Sequence, residues 1–389
     1  MQKSIIIFSF YFTPDLCAGS FRNSTLIEEL ENQSGEKVTK VIITTKPNRY
    51  KEFRTSSKNH EIVGSTEMYR IQIPDHQSGI IDQIKAFTIY FYKGIRIALK
   101  YNPTLVYAST SRLFTGFMGA CYSRLTGTTL YLDIRDIFLD TITDIYRKSV
   151  LKYFLSPIIS IVEGFTMNSA QHINLISPGF KEYFIAKYPG RPYSQFSNGI
   201  DTLFLNSDSS SETISETEKT IVYAGNIGEG QGLHIFIPGL AKMLPEYSIM
   251  IIGDGGAKQK LEEGIKNLSN VIILPPMSRE NVLEYYQKAK YTLIHLNDNE
   301  AFKKVLPSKV FELAAINKPI LAGVDGYAAQ FMAENVHECI IFMPGDFKEA
   351  VRLIKRYEYA VIEHDHFIAK YSRKNINRKM SESILSYVK

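Results

Sequence analysis

A lysine and a glutamate stand one helical turn apart in the segment LPSKVFELAAINKPI, which begins at Leu306. Pro307 and Ser308 commonly open helices, so the spacing predicts a helix that carries Lys309 and Glu312 on one face. An ammonium group can neutralise phosphate charge, and a fixed carboxylate can accept hydrogen bonds from ribose hydroxyls. The alternative is a plain salt bridge between the two side chains, worth about 0.3 kcal/mol when exposed.

Two glycine-rich junctions follow apolar runs in the C-terminal half. The segment YAGNIGEGQGL brings Gly225, Asn226 and Gly228 between a predicted strand and a predicted helix, and IIGDGG does the same with Gly253. Glycine lets a backbone approach a ligand closely, and amides at a helix start point towards an anion. A diphosphate would fit such a loop, while tight-turn geometry alone would also explain the glycines.

A third charged group lies in TLYLDIRDIFLD, directly after an apolar run. We interpret Asp133, Arg135 and Asp136 as contacts for a bound ligand at the carboxyl end of a strand. The alternative is a buried ion pair that orients the loop. Asp136 is the candidate general base of this group.

The elements that position these residues are predicted from β-rich apolar runs that alternate with helix-compatible stretches. Such alternation is typical of a mainly parallel sheet with helices on both faces. Because 389 residues suffice for two domains, we predict an α/β chain of two doubly wound, Rossmann-like domains facing a central cleft. The predicted strands are 4–10, 38–44, 105–108, 130–134 and 173–177, then 220–224, 248–252, 271–274, 291–296, 319–322 and 339–342.

Composition excludes several classes of protein. A hydrophobic fraction of 44% and a charged fraction of 22% are those of an ordinary globular protein. Cys17, Cys121 and Cys339 show no CxxC spacing, and the eight histidines show no metal-ligand spacing, so we predict neither a disulfide framework nor a metal site. The apolar N-terminal stretch favours a first strand over a signal peptide, and no apolar run approaches the roughly 18 residues of a membrane span.

The stretch 83–132 holds six Lys or Arg side chains and no Asp or Glu. Aromatic rings mixed with cations suit a bilayer surface that carries anionic lipid. The alternative is an amphipathic helix whose aromatic side packs on the sheet. Nucleic acid is disfavoured because no groove-reading motif accompanies the charge. The residues concerned are Lys85, Phe87, Tyr90, Phe91, Tyr92, Lys93, Arg96 and Lys100.

The order of these motifs resembles the retaining glycosyltransferases of family 4, the group 1 transferases with the GT-B fold. It resembles most closely the branch that builds bacterial surface polysaccharides. The similarity extends from YFTPDLCAGSFRNSTLIEEL near the N-terminus through GNIGEGQGL and IIGDGG to PSKVFELAAINKPI. The resemblance implies a hexosyl- or N-acetylhexosaminyltransferase that moves an N-acetylated or deoxy hexose from a nucleotide-sugar, with UDP as the expected nucleotide and with retention at the anomeric carbon.

The resemblance also implies roles for individual residues. Gly19 and Arg22 would lie near the donor phosphates, Lys309 would stabilise the leaving nucleotide, and Glu312 would hold the ribose. No metal and no cofactor beyond the nucleotide-sugar are expected. The residues assigned to nucleotide-sugar binding are Gly19, Arg22, Gly225, Asn226, Gly228, Gly253, Lys309 and Glu312, and those assigned to catalysis are Arg135, Asp136 and Lys309.

The sequence departs from the family pattern at three places. Lys304 stands where a glutamate often contacts the donor sugar, although Glu300 is nearby, and Gln231 stands where a phosphate-binding lysine is common. Arg135 and Asp136 replace a His-Asp pair, and the resemblance implies that these two residues and Asp133 contact the acceptor and the donor sugar. A retaining transferase does not require Asp136 as a base if the leaving phosphate itself accepts the proton of the acceptor.

The resemblance leads to a full expectation for the chain. We expect an N-terminal acceptor domain over 1–200, a nucleotide-sugar domain over 201–365 and a closing helix over 366–389 that crosses back to the first domain, with the polar stretch 206–220 as a surface loop. The acceptor would be a lipid-linked glycan of O-antigen or capsule synthesis, carried on undecaprenyl diphosphate at the cytoplasmic face of the inner membrane. The alternatives are a sugar-nucleotide 2-epimerase, a non-catalytic partner subunit and, more remotely, a nucleic-acid-binding protein.

Overall fold

The computed structural model describes residues 3–48, 57–74, 80–140, 151–205, 219–316, 318–358 and 365–388. The chain divides into two units, of which the first comprises Met1–Asn198 with Lys374–Lys389 and the second comprises Gly199–Arg373. Each unit is built on one sheet with helices between its strands, so the predicted α/β class is confirmed. The predicted surface loop 206–220 lies outside the described residues as far as residue 218.

The sheet of the first unit has eight strands. They are β1 (Lys3–Ser9), β2 (Val38–Thr45), β3 (His60–Val63), β4 (Thr66–Ile71), β5 (Leu105–Ser109), β6 (Thr129–Ile134), β7 (His172–Leu175) and β8 (Tyr193–Ser194). Their order is β3-β4-β2-β1-β5-β6-β7-β8, and every pair is parallel except β3 with β4. The central strand β1 is covered on both faces, since Ile5, Ile6, Ile7 and Phe8 expose no surface.

The helices of this unit whose bounds lie within the described residues include five that precede the second unit. They are α1 (Ala18–Ser34), α2 (Ile80–Ala98), α3 (Leu113–Thr126), α4 (Leu151–Ser169) and α5 (Lys181–Lys187). Helix α1 buries Leu26, Ile27 and Leu30 against the sheet, and α3 contacts both α2 and α4. The fold thereby places the loop before α1 and the ends of β5 and β6 at the same edge of the sheet.

The second unit has a six-stranded, fully parallel sheet in the order β11-β10-β9-β12-β13-β14. Its strands are β9 (Thr220–Ala224), β10 (Ser248–Ile252), β11 (Val271–Leu274), β12 (Tyr291–His295), β13 (Ile320–Gly323) and β14 (Cys339–Phe342). Its helices are α6 (Thr202–Leu205), α7 (Leu233–Met243), α8 (Lys258–Ile265), α9 (Arg279–Lys288), α10 (Lys309–Leu313), α11 (Tyr327–Asn335), α12 (Phe347–Arg356) and α13 (Asp365–Tyr371).

The predicted strands are all present, while β3, β4 and β8 were not predicted. The closing segment also differs from the single helix expected over 366–389. Helix α13 packs Phe367 into the core of the second unit, and a separate helix, α14 (Arg373–Leu385), packs Met380 and Ile384 into the core of the first. The chain therefore passes from the first unit to the second after Asn198 and returns after Arg373.

Candidate functional site

The ends of β9 and β10 come into direct backbone contact at two glycines. Gly225 follows β9 with φ +149° and Gly253 follows β10 with φ +150°, conformations that residues with a Cβ rarely adopt. A Cβ on Gly253 would lie 1.9 Å from the carbonyl oxygen of Gly225, so no larger residue fits. The amide of Gly225 donates to Ile252 O at 2.8 Å. Glycine is required here by a close approach of two strand ends.

The loop between β9 and α7 is held in shape by Gln231. Its Oε1 accepts from Asn226 Nδ2 at 2.8 Å and from the Gly228 amide at 3.2 Å. The Tyr223 hydroxyl donates to Asn226 O at 2.7 Å. Gln231, which replaces a lysine of the resembled family, thus organises the loop. Helix α7 begins at Leu233 with no acidic residue in its first turn, so its N-terminus presents partial positive charge beside this loop.

The side chain of Lys309 reaches back from α10 to the glycine loop. The helix begins at Lys309, as its sequence predicted. A Cβ on Gly225 would lie 2.3 Å from Lys309 Nζ, so the ammonium lies directly against the glycine backbone. Nζ is 3.7 Å from the centroid of the Tyr223 ring, a cation–π contact. Within the described part of the chain, Lys309 makes no hydrogen bond and no ion pair.

Burial lowers the pKa of Lys309 from 10.5 to about 7, because desolvation outweighs the attraction of Glu312. Lys309 is half-buried, and a partly desolvated cation without a hydrogen-bonded anion is unfavourable unless a ligand supplies the opposite charge. The simple Lys309–Glu312 salt bridge considered from the sequence does not form between these two residues. The arrangement therefore suits an anionic group placed against Gly225, such as a diphosphate.

Glu312 is paired with two arginines from distant parts of the second unit. Arg279, the first residue of α9, donates to Glu312 Oε1, and Arg373 Nη2 lies 3.4 Å from the same oxygen. Both guanidinium groups also bind Asp201 Oδ2, Arg279 through Nη1 at 2.6 Å. Burial alone would raise the pKa of Asp201, but the attraction of Arg279 and Arg373 is stronger and lowers it. None of these partners was predicted from the sequence.

In the first unit, Arg22 and Asp133 form a buried ion pair. Arg22 Nε lies 3.0 Å from Oδ2 and Nη2 lies 3.0 Å from Oδ1, and neither side chain is more than 1% exposed. Asn174 and Tyr107 donate to the same carboxylate at 2.7 and 3.1 Å, while Arg22 Nη1 donates to Ser197 O at 2.6 Å. The structure therefore has the ion pair that the sequence offered as the alternative for Asp133. Because this pair binds Arg22 inside the unit, a positioning role for Arg22 is favoured over direct contact with the donor.

Several polar groups lack partners at the carboxyl ends of β1, β5 and β6. Gly19 lies against Ser111, whose Cβ would be 3.3 Å from a Cβ on the glycine. The hydroxyls of Ser20 and Ser111 and Nη1 of Arg135 are buried and have no hydrogen-bond partner among the described residues. Buried polar atoms are nearly always hydrogen-bonded, so either ordered water or a ligand would complete these groups. Asp136 is half-buried, and its Oδ1 accepts from the next amide at 2.9 Å.

His295 is a structural residue of the second unit. Its Nδ1 donates to Gln231 O at 2.6 Å and its Nε2 accepts from the Gly345 amide at 3.0 Å. Burial lowers the pKa of His295 to about 4, which keeps the ring neutral. The ring therefore ties the glycine loop to the chain after β14. In the described ranges, no group of three or more His, Cys, Asp or Glu side chains is arranged to hold a metal ion.

The structure brings together some of the predicted residues and separates others. Gly225, Gly253 and Lys309 meet at the ends of β9 and β10. Lys304, at the position where the family often has a glutamate, ends a short 3-10 turn, Phe302–Lys304. The nearby Glu300 is surface-exposed and pairs with Lys303 at 2.7 Å, so it is not a member of this group.

An apolar and basic surface runs over α2, α3 and α4. Tyr90 is buried and its hydroxyl donates to Ile43 O at 2.7 Å, as the packing alternative predicts. By contrast, Tyr92 is 66% exposed and Ile161 is 72% exposed. Phenylalanine rings of the three helices contact one another and connect these exposed faces. We define the α2–α4 surface by the exposed side chains of Ile84, Lys85, Tyr92, Lys93, Arg96, Lys100, Ile158, Ile161 and Phe165.

Comparison with known proteins places this geometry in context. Residues 206–375 match the model of the family described as glycosyl transferases group 1, a segment that contains nearly all of the second unit. No curated protein sequence matches the chain. Across the parts of the chain that the structure describes, none of the helices is both long enough and apolar enough to cross a bilayer.

Solved structures of similar fold cover almost the whole chain. Sucrose-phosphate synthase from Thermosynechococcus elongatus superposes with a TM-score of 0.70 at 13% identity, over 98% of this chain and 94% of that one. HepE from Anabaena, in complex with UDP and glucose, gives 0.68 at 15% identity, over 99% and 100%. The lipopolysaccharide outer core galactosyltransferase WaaB gives 0.59 at 15% identity, over 99% of each chain.

These similarities define the class of protein. The fold is GT-B, with two Rossmann-like units, and the second unit carries the group 1 glycosyl transferase match. The group 1 match in the second unit supports the predicted glycosyltransferase activity. The residues that meet at the ends of β9 and β10 are consequently the candidate donor site.

Proposed function

We propose that the protein transfers a hexose, N-acetylated or deoxygenated, from a UDP-sugar to a hydroxyl of a lipid-linked glycan, with retention at the anomeric carbon and without a metal. The observation that carries this proposal is the ammonium of Lys309, which lies against Gly225 without a hydrogen-bonded partner in the described residues. HepE, a structural neighbour, was solved with UDP and glucose, which supports UDP as the nucleotide here.

The second unit would bind the donor nucleotide. The loop of Gly225, Asn226 and Gly228 lets backbone reach the diphosphate, and the N-terminus of α7 adds favourable charge. Lys309 would neutralise the oxygen that carries charge as the bond to the sugar breaks. Glu312 would accept hydrogen bonds from the ribose hydroxyls, since its carboxylate is already fixed by arginines.

The first unit would contact the acceptor and the donor sugar. The unpartnered groups of Ser20, Ser111 and Arg135, together with Asp136, offer hydrogen bonds to sugar hydroxyls. In the reaction, the bond from the anomeric carbon to the β-phosphate oxygen breaks and a bond to the acceptor oxygen forms on the same face. The proton of the acceptor passes to the departing phosphate, so Asp136 orients the acceptor and is not consumed as a base.

The acceptor is assigned to a lipid carrier because of the α2–α4 surface. Lys85, Lys93, Arg96 and Lys100 are all exposed beside exposed apolar side chains. Cations attract anionic headgroups, and aromatic and aliphatic side chains insert at the boundary of the acyl chains. This combination supports peripheral attachment to the cytoplasmic face of a bacterial inner membrane, in the synthesis of O-antigen or capsule.

The activity is tested by incubating the protein with a panel of UDP-sugars and an undecaprenyl-diphosphate-linked glycan. We expect transfer of one sugar, with the product bond in the same anomeric configuration as the donor. Lys309→Ala should reduce the rate by about a hundredfold, the scale of a lost group that stabilises developing charge. Conversion of the UDP-sugar to an epimer without acceptor would overturn the proposal in favour of an epimerase.

The membrane assignment has its own test. We expect the protein to sediment with vesicles of anionic phosphatidylglycerol and not with neutral phosphatidylcholine. Replacing Tyr92 and Ile161 by serine should abolish sedimentation. Ile62→Ser with Val63→Ser on β3 is the matched control, because these side chains are 65% and 69% exposed but lie outside the α2–α4 surface. Equal loss in both variants would contradict a specific surface.

A further inference from the structure

The two segments that connect the units lie side by side in the second unit. The amide of Ile200 donates to Tyr371 O at 2.8 Å, and the amide of Arg373 donates to Ile200 O at 2.9 Å. These segments flank the two points at which the chain passes between the units. Arg373 links the two segments through its side chain as well. It belongs to the returning segment, and its Nη2 donates to Gly199 O of the outgoing segment at 3.2 Å.

Four charged side chains join these segments to α10. Asp201 comes from the outgoing segment, Arg373 from the returning one, and Arg279 and Glu312 from α9 and α10. Each arginine bridges the two carboxylates, and the four formal charges sum to zero. All four are mostly buried, with side-chain exposures from 5% to 18%. Ion pairs that are both buried and networked hold their geometry far better than exposed pairs.

The two oxygens of Glu312 are used differently. Both arginines contact Oε1, whereas Oε2 accepts no hydrogen bond from the described residues. A carboxylate can accept at both oxygens, so Oε2 remains available to ribose hydroxyls while Oε1 is held. We propose that Arg279 and Arg373 are positioning residues for the donor nucleotide, which fix Glu312 through Oε1 and couple nucleotide binding at Oε2 to the two connecting segments.

This inference rests on the proposed function of Glu312 as the ribose ligand. It adds an electrostatic role for the arginines. A lone carboxylate near a diphosphate would repel it, whereas two guanidinium groups on Oε1 cancel that charge and leave Oε2 as a neutralised acceptor. The coupling is reciprocal by thermodynamic necessity: whatever stabilises the arginine contacts tightens nucleotide binding, and a bound nucleotide stabilises the connecting segments.

The test measures UDP affinity by calorimetry in wild type, Arg279→Lys and the matched control Arg352→Lys. Lysine keeps the charge but loses the fork that bridges two carboxylates. We expect the dissociation constant to rise about tenfold in Arg279→Lys, within the usual range of coupling between sites. The control should be unchanged, because Arg352 pairs with Glu349 on an exposed face, away from Glu312. In a Glu312→Gln background, Arg279→Lys should add less than about a twofold further change.

Hydrogen exchange distinguishes coupling to the nucleotide from a general effect of the substitutions on folding. UDP should slow exchange of the Ile200 and Arg373 amides in wild type and should not do so in Glu312→Gln. Unchanged affinity in folded Arg279→Lys and Arg373→Lys, or protection confined to the glycine loop, would overturn the inference while leaving the proposed function intact. Failure of wild type to bind UDP would instead remove the proposed function, and the inference with it.

Discussion

The two units both place charged side chains near the carboxyl ends of their strands, but the partners of these charges differ. In the first unit, Asp133 at the end of β6 accepts a two-pronged contact from Arg22 and further bonds from Asn174 and Tyr107. In the second, Lys309 lies against Gly225 with no hydrogen bond or ion pair to any described residue. The carboxylate of Asp133 is hydrogen-bonded within the first unit, whereas the ammonium of Lys309 has no opposite charge bonded to it among the described residues.

The difference shows how to separate structure from function among charged residues. When the hydrogen bonds of a buried charge are all supplied internally, removing one partner destabilises the fold, because the other partner is left uncompensated. A buried charge that lacks partners is unfavourable, and other interactions of the fold offset its cost. A ligand that supplies the missing partners gains binding energy. Substitutions in the two centres should therefore affect different measurements.

The largest expected effect is on stability in the first unit. Asp133→Ala would leave the Arg22 guanidinium buried without its carboxylate, so we expect a loss of about 3–5 kcal/mol in the free energy of unfolding. Urea unfolding followed by circular dichroism measures it. The double variant Asp133→Leu with Arg22→Met should lose less than the single one, because no charge is stranded. Near-normal stability of Asp133→Ala would contradict the view that Arg22 depends on this carboxylate as its partner.

The next effect is on nucleotide binding through the backbone of the second unit. Gly225→Ala forces a Cβ into a φ of +149° and within 2.3 Å of Lys309 Nζ. We expect UDP affinity to fall by a factor of about 10–100, as for a lost charge-assisted hydrogen bond. Gly190→Ala in the first unit is the control, since it meets the strain of a positive φ, +76°, with no atom within 4 Å. Equal effects of the two variants would mean that strain, not the displaced ammonium, is responsible.

The smallest effect is a pH dependence of UDP binding. With its pKa lowered to about 7, Lys309 loses its proton as the pH rises, so UDP affinity should fall about tenfold between pH 7 and pH 8.5. A terminal phosphate, with a pKa near ~6, is already ionised in this window. Calorimetry across the window measures the slope, and Lys309→Arg should remove it because arginine does not titrate there.

The lowered pKa of Lys309 has the opposite effect on the stability of the protein without ligand, which should rise with pH. A group whose pKa is lower in the folded chain than in the unfolded one binds fewer protons when folded, so its contribution to stability grows as the pH rises above 7. Wild type should therefore gain stability relative to Lys309→Ala between pH 7 and pH 9. A parallel pH dependence of the two proteins would contradict the lowered pKa.

The strands that the sequence predicted are those with continuous apolar runs bounded by glycine or polar turns. All six strands of the second unit are of this kind, since a parallel sheet covered on both faces requires apolar residues throughout. Of the missed strands, β3 and β8 lie at the two edges of the first sheet, and β4 lies between β3 and β2. In β3 and β4, charged residues such as Glu61, Glu67 and Arg70 interrupt the apolar pattern, and β8 has only two residues.

The candidate site divides in the same way between local and distant information. Lys309 and Glu312 are one turn apart, and the glycines follow strands directly, so local spacing was enough to find them. The partners Asp201, Arg279 and Arg373 are distant in sequence from Glu312 and have no motif of their own. Only the tertiary fold brings them together, as it does Arg22 and Asp133, which are 111 residues apart.

The most direct test of a nucleotide site at Lys309 is a calorimetric panel of UDP, GDP, ADP and CMP against wild type and Lys309→Ala. We predict saturable binding of one nucleoside diphosphate, weakened in the variant by about 1.5–3 kcal/mol, the loss of a hydrogen bond to a charged group. Without ligand at pH 7, the variant should melt close to wild type, because Lys309 has no ion pair with a described residue and loses only its cation–π contact with Tyr223. Binding of equal strength to both proteins, or of no nucleotide to wild type, would contradict the account.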